Sequence, residues 1–400
     1  MSADEHRVRA SEPSPRPWGS TESIGLASTF AAFFFLSGVA LPYWPTWLGA
    51  AGMSPREIGV LLGVGMWARL LAPQVGAWAD RSGHSRQLVW AAAALGLGCY
   101  LGFGVVAGFV PLLLLSLALG CAHAPVVPLL DGMALQASAA GRLDYGRVRA
   151  WGSIAFIAAA VVGGRWLEQR DAAAVLPVLQ IAALAVLLAS FLLRPVAHGR
   201  GGTPVPLRVV LRQPGLPTLL LAVACLHGSH AVLYGFGTKH WLAIGIDEGT
   251  VGWFWGVGVT AEVLLFAVGQ RVVRALGASG MLVVAGLCAT LRWLAFAELA
   301  SVTWLLVVSV LHAASFGAMH LGAMHWLREH VPTDRVHRAT ASYAAVASGL
   351  AMGVAMPVAG FCFDAWAGGA FRVMAALALV GALVSLRLGR VVVAQPTSNE

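Results

Sequence analysis

The amino-acid sequence predicts an all-α membrane protein of twelve transmembrane helices in two pseudo-symmetric six-helix bundles. Of its 400 residues, 58% are hydrophobic and 11% are charged, whereas about a quarter of the residues of a soluble domain are charged. An apolar helical phrase occurs twice, as IGVLLGVGMWAR at 58–69 and as VGWFWGVGVTAE at 251–262. The repeat predicts two related halves. Its ends place Arg69 and Glu262 inside apolar stretches, where an ionisable side chain is costly and indicates a functional site.

Six apolar windows of about 20 residues, the length that crosses a bilayer, occupy the first half of the chain. A polar tail at 1–22 precedes them, and polar loops separate them, such as the segment with Arg81 and Arg86 after the second window. The first bundle, 23–193, therefore contains predicted spans at 24–48, 55–79, 87–107, 111–137, 150–168 and 172–193.

A cytoplasmic linker is predicted at 194–214, where RPVAHGRGGTPVPLRVVLRQP concentrates Pro, Gly and Arg. The second bundle, 215–390, repeats the apolar pattern and ends before a polar tail at 391–400. Its predicted spans are 215–241, 250–270, 280–298, 302–327, 339–365 and 369–387.

Basic residues predict the orientation of the helices, because Lys and Arg accumulate in short cytoplasmic loops. With the N-terminus inside, 19 of the 26 Lys and Arg residues fall on the cytoplasmic side and five on the outer side. Both termini are therefore expected in the cytoplasm, with the chain spanning the cell (inner) membrane many times. This sorting accounts for the net charge of +8, so no nucleic-acid partner is expected. The polar tail 1–22 is not expected to be a cleaved signal peptide.

The loop between the second and third spans reads GAWADRSGHSR and contains Gly76, Asp80, Arg81, Gly83 and Arg86. Gly76 is expected to let helices approach closely and Gly83 to form a tight turn, while the charges of Asp80 and Arg81 can latch neighbouring helix ends. Together with twelve spans, this spacing resembles the loop signature of the major facilitator superfamily. The resemblance implies the fold of that superfamily and a transport function. The second half keeps a degenerate copy that ends at Gly277.

Asp131 lies well inside the fourth span, and Arg149 follows 18 residues later. The surrounding segments, PVVPLLDGMAL and LDYGRVRAWGSIAF, resemble phenylpropionate permeases and, more distantly, the lactose permease group of oligosaccharide–proton symporters. The second resemblance implies that Asp131 and Arg149 hold the substrate and that Phe156 stacks on it. Arg149 also fits an ordinary basic residue at a helix end, whereas an acidic residue inside a span favours a functional role.

Most of the second half resembles the same permeases, through CLHGSHAVLYGFGTKHW, TAEVLLF, LRWLAFA and VLHAASFGAMHLGAMHW. In the lactose permease group the corresponding helices supply a Glu, an Arg and a His near the coupling centre. The resemblance implies this role for Glu262, Arg292 and His312. The carboxylate that carries the proton in that group, three residues after the His, is replaced by Ser315, whose hydroxyl takes no proton at physiological pH.

The proton must then be carried elsewhere if the protein couples to protons. Glu262 is the first candidate, because burial raises the pKa of a carboxyl group and a nearby Arg lowers it. Asp131 is the second candidate. His312 and His320, which share a helix face at i and i+8, are candidate relays.

Three further polar residues, His227, His230 and Tyr234, lie at i, i+3 and i+7 on one helical face and are candidates to line a central cavity. Each histidine fits an interhelical hydrogen bond equally well. No carboxylate or thiolate completes a metal site with them, and the five cysteines show no paired spacing. No metal or other cofactor is expected.

The charges expected to face the cavity are Arg69, Arg149 and Arg292 against Asp131 and Glu262, a surplus of one positive charge. Aromatic side chains, which include Tyr43, Trp44, Phe156 and Tyr234, suit a flat or aromatic ligand, although Trp also stacks on sugars.

We therefore expect a monomeric, proton-coupled symporter of a small aromatic carboxylate in the lipid bilayer. A symporter of sugars, glycosides or nucleosides and a drug-type exporter are the alternatives. An enzyme is not expected, because the sequence contains no recognisable catalytic arrangement and its polar segments are too short for a catalytic domain.

Overall fold

The computed structural model describes residues 20–195 and 206–393, and all regular structure within these ranges is helical. Nine stretches in this part of the chain are long and apolar enough to cross a membrane, and two of them, Glu248–Glu298 and Thr333–Gly389, each contain two spans. Helix Ser85–Phe103 is a further span, so the described residues contain the twelve predicted spans. The helices are α1 (Thr21–Ala50), α2 (Pro55–Ala79), α3 (Ser85–Phe103), α4 (Phe109–Ala139), α5 (Tyr145–Leu167), α6 (Ala172–Ser190), α7 (Leu216–Ala243), α8 (248–276), α9 (278–298), α10 (Val302–His330), α11 (333–366) and α12 (Ala370–Val393).

Helices α2 and α8, which carry the repeated phrase, begin with side-chain caps. The Ser54 hydroxyl accepts the Glu57 N–H at 3.4 Å, while the Glu57 carboxylate accepts the Ser54 N–H at 2.8 Å. At the start of α8, the Asp247 carboxylate accepts the Thr250 N–H at 2.7 Å. Each cap supplies a partner to a backbone N–H that the helix leaves unpaired.

Both capped helices are followed by a glycine with positive φ. Gly83, with φ of 70°, follows Ser82 after α2, and Gly277, with φ of 67°, separates α8 from α9. The left-handed conformation favours glycine at both positions, so the turn predicted at Gly83 is confirmed. The linker contains the short helix Leu207–Leu211. Residues 1–19, 196–205 and 394–400, which include most of both predicted tails and half of the predicted linker, lie outside the described residues.

The two halves pack closely on the side away from the termini. A Cβ built on Gly59 of α2 would lie 2.6 Å from the Met356 carbonyl oxygen of α11, and one built on Gly252 of α8 would overlap the Ala160 carbonyl of α5. The glycines of the repeated phrase thus make matching contacts between the halves. The Arg56 and Asp364 side chains add an ion pair of 2.7 Å across this side.

The halves separate toward the termini. Buried apolar residues form one cluster that spans both halves on the closed side, and a second cluster that belongs to the second half alone. A cavity therefore opens between the bundles on the side of the termini.

The loop motif lies on this open side. A Cβ on Gly76 would meet nothing within 4 Å, so the close helix packing predicted for Gly76 is wrong in this conformation, because the halves are apart here. The Arg86 guanidinium lies over the Trp90 ring at 4.6 Å, and Arg81 is exposed. The Asp80 side chain lies outside the described part of the structure, so the latch remains a prediction.

Candidate functional site

Two adjoining cavities lie between the halves. The first has a volume of about 260 Å³ and the second about 240 Å³, and Leu41 and Tyr234 line both. The first cavity is lined by six residues of the predicted site: Arg149, Phe156, Tyr234, Glu262, Arg292 and His312. The second is lined by Trp44 and Arg69 as well as Tyr234.

A chain of hydrogen bonds joins three ionisable residues at the first cavity. The Arg292 Nη1 group lies 3.1 Å from His312 Nδ1, and His312 Nε2 lies 3.1 Å from the Glu262 carboxylate. Arg292 comes from α9, His312 from α10 and Glu262 from α8, so three helices hold the cluster. The Arg292 side chain is 3% exposed and the Glu262 side chain is 16% exposed, which leaves Glu262 the more accessible end.

These contacts define the protonation of the imidazole. A guanidinium only donates hydrogen bonds, so His312 Nδ1 must be the acceptor. His312 Nε2 then carries the proton and donates it to the Glu262 carboxylate. The ring in this arrangement is neutral, and it links a buried cation to a carboxylate on the cavity wall.

Ser315 belongs to the same cluster. Its hydroxyl accepts a second hydrogen bond from Arg292 Nη1, at 3.2 Å. Ser315 lies in a π-helical segment of α10, Ala313–Ala318, directly after His312. Such segments are frequent at functional sites. Ser315 occupies the position at which the resembled symporters keep a carboxylate. It contacts Arg292, but its side chain is neutral.

The second cluster combines Asp131 of α4 with Tyr145 and Arg149 of α5. The Tyr145 hydroxyl donates to Asp131 Oδ1 at 3.1 Å, and Arg149 Nε lies 3.9 Å from the same oxygen. The Arg149 guanidinium also lies over the Phe34 ring at 4.2 Å. The predicted juxtaposition of Asp131 and Arg149 is therefore present, as a loose ion pair of two side chains that are each about 30% exposed.

Arg69 occupies the second cavity with His123 and Tyr100. It lies in a 3-10 segment, Ala68–Leu71, that interrupts α2. Among the side chains that the structure describes, Arg69 has no carboxylate within ion-pair distance and no hydrogen-bond partner.

Besides Asp131, four predicted residues line neither cavity. The Tyr43 hydroxyl bonds to the carbonyl oxygens of Ala160 and Glu248 at 3.0 and 3.1 Å, so Tyr43 joins the halves on the closed side. His227 and His230 share a face as predicted, with ring centroids 6.0 Å apart, but they pack against Phe316 behind the cavity. His320 bonds through Nδ1 to the Tyr343 hydroxyl at 3.0 Å. These four fit interhelical contacts better than substrate contacts.

Several residues of the site were not predicted. Tyr145 lies four positions before Arg149 on α5, a spacing that places both on one helix face and could have revealed it. Phe34 belongs to the run FAAFFFLS, in which the sequence offers no signal to separate a cavity residue from one that faces lipid. His123 of α4 lines the Arg69 cavity.

Two six-helix halves around a central cavity, with charged side chains buried at membrane depth, define a secondary transporter. The chain belongs to the MFS_1 like family, whose sequence profile matches residues 24–373, so it is a major facilitator transporter and not an enzyme.

Relatives and solved structures agree with this assignment. The chain is 34% identical over 365 residues to the "Probable 3-phenylpropionic acid transporter" of Escherichia coli (strain K12), covering 88% of this chain and 94% of the relative. It is 27% identical over 377 residues to the maltose permease of Geobacillus stearothermophilus, covering 89% and 92%.

Two solved structures share the fold at 13% identity. The nucleoside transporter NupG superposes with a TM-score of 0.78 over 93% of this chain and all of NupG. A bacterial homolog of the human lysosomal transporter Spinster superposes with a TM-score of 0.72 over 94% of this chain and 98% of that one. The predicted fold is thereby confirmed.

Proposed function

We propose that this transporter carries a small aromatic carboxylate together with a proton across the inner membrane, with both termini in the cytoplasm. The name of the Escherichia coli relative, which aligns over most of both chains, supports an aromatic acid as substrate. The apolar and aromatic walls of the two cavities, with Phe156, Trp255 and Trp44, suit the ring of such a molecule.

The observation that carries the proposal is the charge of the joined cavities. Three arginines line them, Arg69, Arg149 and Arg292. Asp131 lies beside Arg149, and Glu262 reaches Arg292 through neutral His312. One cation is left without a partner among the described side chains. A monocarboxylate would balance it in a low-dielectric site, whereas a neutral molecule would not.

Proton coupling follows from the Glu262 cluster. When Glu262 takes a proton, His312 loses an anionic partner and Arg292 loses the compensating charge of the cluster. A substrate anion that enters the cavities restores the balance. Proton and anion therefore favour each other's binding, which is the energetic requirement for symport.

Symport of a sugar is the second candidate. The Asp131 and Arg149 pair can accept and donate hydrogen bonds to hydroxyl groups, and the maltose permease relative aligns over most of the chain. Such a ligand brings no charge, so it would leave Arg69 uncompensated.

Binding of an acid and its amide separates the two candidates. We expect 3-phenylpropionate to raise the melting temperature of the purified protein, and 3-phenylpropionamide to bind about tenfold or more weakly, because it lacks the charge that forms strong hydrogen bonds to a guanidinium. Equal stabilisation by acid and amide would contradict the carboxylate. Stabilisation by maltose alone would favour the sugar.

A further inference from the structure

We infer that the second cavity is the subsite for the substrate carboxylate and that Arg69 is its anchor. This inference rests on the proposed function and adds the position of the anionic group. The sequence comparison had implied Arg149 as the anchor, and the structure provides four reasons to prefer Arg69.

The first reason is that the other two arginines already have partners. Arg149 lies beside Asp131 and stacks on the Phe34 ring. Arg292 donates to His312 and Ser315 and is almost fully buried. Arg69 alone of the three has no described hydrogen-bond or ion-pair partner, so an anion beside it gains the most and displaces nothing.

The second reason is the local backbone. Helix α2 changes from an α-helix to a 3-10 segment at Ala68–Leu71 and resumes at Ala72. Pro73 explains the interruption, because it has no N–H to donate to the carbonyl of Arg69 four residues earlier. The break holds Arg69 at the cavity wall, and its side chain is exposed there rather than packed between helices.

The third reason is the size of the cavity. Its volume of about 240 Å³ is below the range of roughly 300–1,000 Å³ that is common for drug-sized ligands. The part of the ligand that enters this cavity must therefore be small. A carboxylate with one ring meets this restriction.

The fourth reason is the composition of the walls. Trp44 stacks on Trp47 with ring centroids 4.5 Å apart and an angle of 6°, which presents a rigid aromatic surface beside Arg69. Ser116 adds a hydroxyl group that can donate to a carboxylate, whereas the Ser37 hydroxyl already donates to the Phe33 carbonyl oxygen at 2.9 Å. Tyr234 lines both cavities, so a molecule held by Arg69 lies next to the cavity that contains Glu262.

The experiment compares acid and amide binding in purified variants. Arg69→Gln should reduce the preference for 3-phenylpropionate over its amide by about tenfold or more, because only the acid uses the charge of Arg69. Arg165→Gln removes one charge from an exposed site at the end of α5 and is the matched control. Its acid preference should equal that of the wild type.

Arg149→Gln distinguishes the two anchors. It should weaken acid and amide binding together and leave the preference in place. Loss of the preference in Arg149→Gln, with the preference kept in Arg69→Gln, would overturn the inference and return the anchor to Arg149. A wild-type protein without any preference for the acid would instead contradict the proposed function itself.

Arg69→Lys keeps the inference testable if Arg69→Gln does not fold. Lysine keeps the charge but lacks the planar fork that pairs with both carboxylate oxygens. We expect acid affinity to fall several-fold while amide affinity is unchanged. Unchanged acid affinity in a folded Arg69→Lys protein would exclude Arg69 as the anchor.

Discussion

His312 connects Arg292 to Glu262 in the cluster at the first cavity. Its ring accepts from Arg292 and donates to Glu262, and both contacts are 3.1 Å long. A second proton on the ring would make Nδ1 a donor, but Nδ1 faces the Arg292 guanidinium, which cannot accept a hydrogen bond. The ring is therefore a poor proton carrier in this conformation. We therefore propose that the Glu262 carboxylate, which lines the first cavity, takes up the proton.

Glu262→Gln tests that assignment. The amide oxygen still accepts from His312 Nε2, but the side chain neither gains nor loses a proton, so the variant resembles the permanently protonated state. We expect uphill uptake of 3-phenylpropionate to be abolished in vesicles whose interior is more alkaline than the medium, while exchange of labelled for unlabelled substrate continues.

Glu298→Gln is the matched control for this variant, because Glu298 is exposed and pairs with Arg372 at the end of α9. Its uphill uptake should equal that of the wild type. If Glu262→Gln still accumulates substrate against a gradient, another group must carry the proton, and Asp131 is the next candidate.

At this scale the sequence identified four ionisable residues that lie at or beside the cavities, but not all of their contacts. Arg69, Asp131, Glu262 and Arg292 stand out because each interrupts an apolar stretch. Tyr43 and His230 do not differ from cavity residues by type or spacing. Their contacts depend on which side of a helix meets the other half, and periodicity alone leaves that undetermined.

Among the elements, α2 and α8 combine close packing with the charged ends of the repeated phrase. Gly59 lies against α11, and Gly252 lies against α5. A helix pair without side chains at the crossing can separate and return with little rearrangement, which suits surfaces that open in each transport cycle.

Gly59→Ala should shift the equilibrium between conformations. A methyl group 2.6 Å from the Met356 carbonyl oxygen requires the helices to move apart. Overpacking of this kind costs about 1–3 kcal/mol, which corresponds to a shift of roughly 5–150-fold away from the conformation closed on this side. We expect substrate uptake to fall accordingly while the protein remains folded.

Gly98→Ala is the control for this change, because a Cβ at Gly98 of α3 would meet nothing within 4 Å. Normal uptake by Gly59→Ala would mean that the closed side does not depend on this crossing. A loss of uptake in Gly98→Ala would show that any added methyl group is harmful in these helices.

The sequence predicted the twelve helices but not their interruptions. Helices α5 and α11 begin at Tyr145 and Thr333, five and six residues before the predicted starts, because hydropathy windows omit the basic turns that extend beyond the bilayer. The break of α7 after Gly228 and the π-helical segments Ala313–Ala318 and Ala345–Ala351 leave no such signal. They arise from packing between helices.

In the whole molecule, the closed side is stabilised chiefly by packing. The Arg56 and Asp364 ion pair is well exposed, with 60% and 31% of the side chains accessible, and exposed pairs contribute at most about 1 kcal/mol. The apolar cluster that spans both halves, with the glycine crossings and the Tyr43 hydroxyl, buries far more of the interface. The structure is thus closed on one side by a continuous core and open on the other.

Chemical labelling of Ser153→Cys tests both the orientation and the opening. Ser153 of α5 lines the first cavity, so a cysteine there should be reached from the side of the termini. In a background that lacks the native cysteines, a membrane-impermeant maleimide should label it faster in inside-out vesicles than in intact cells, and 3-phenylpropionate should slow the reaction by occupying the cavities.

Ser385→Cys is the control, because Ser385 is fully buried and donates to the Gly381 carbonyl oxygen at 2.8 Å. It should stay unlabelled from either side. Faster labelling of Ser153→Cys from outside would place the termini outside the cell and contradict the orientation predicted from the basic residues.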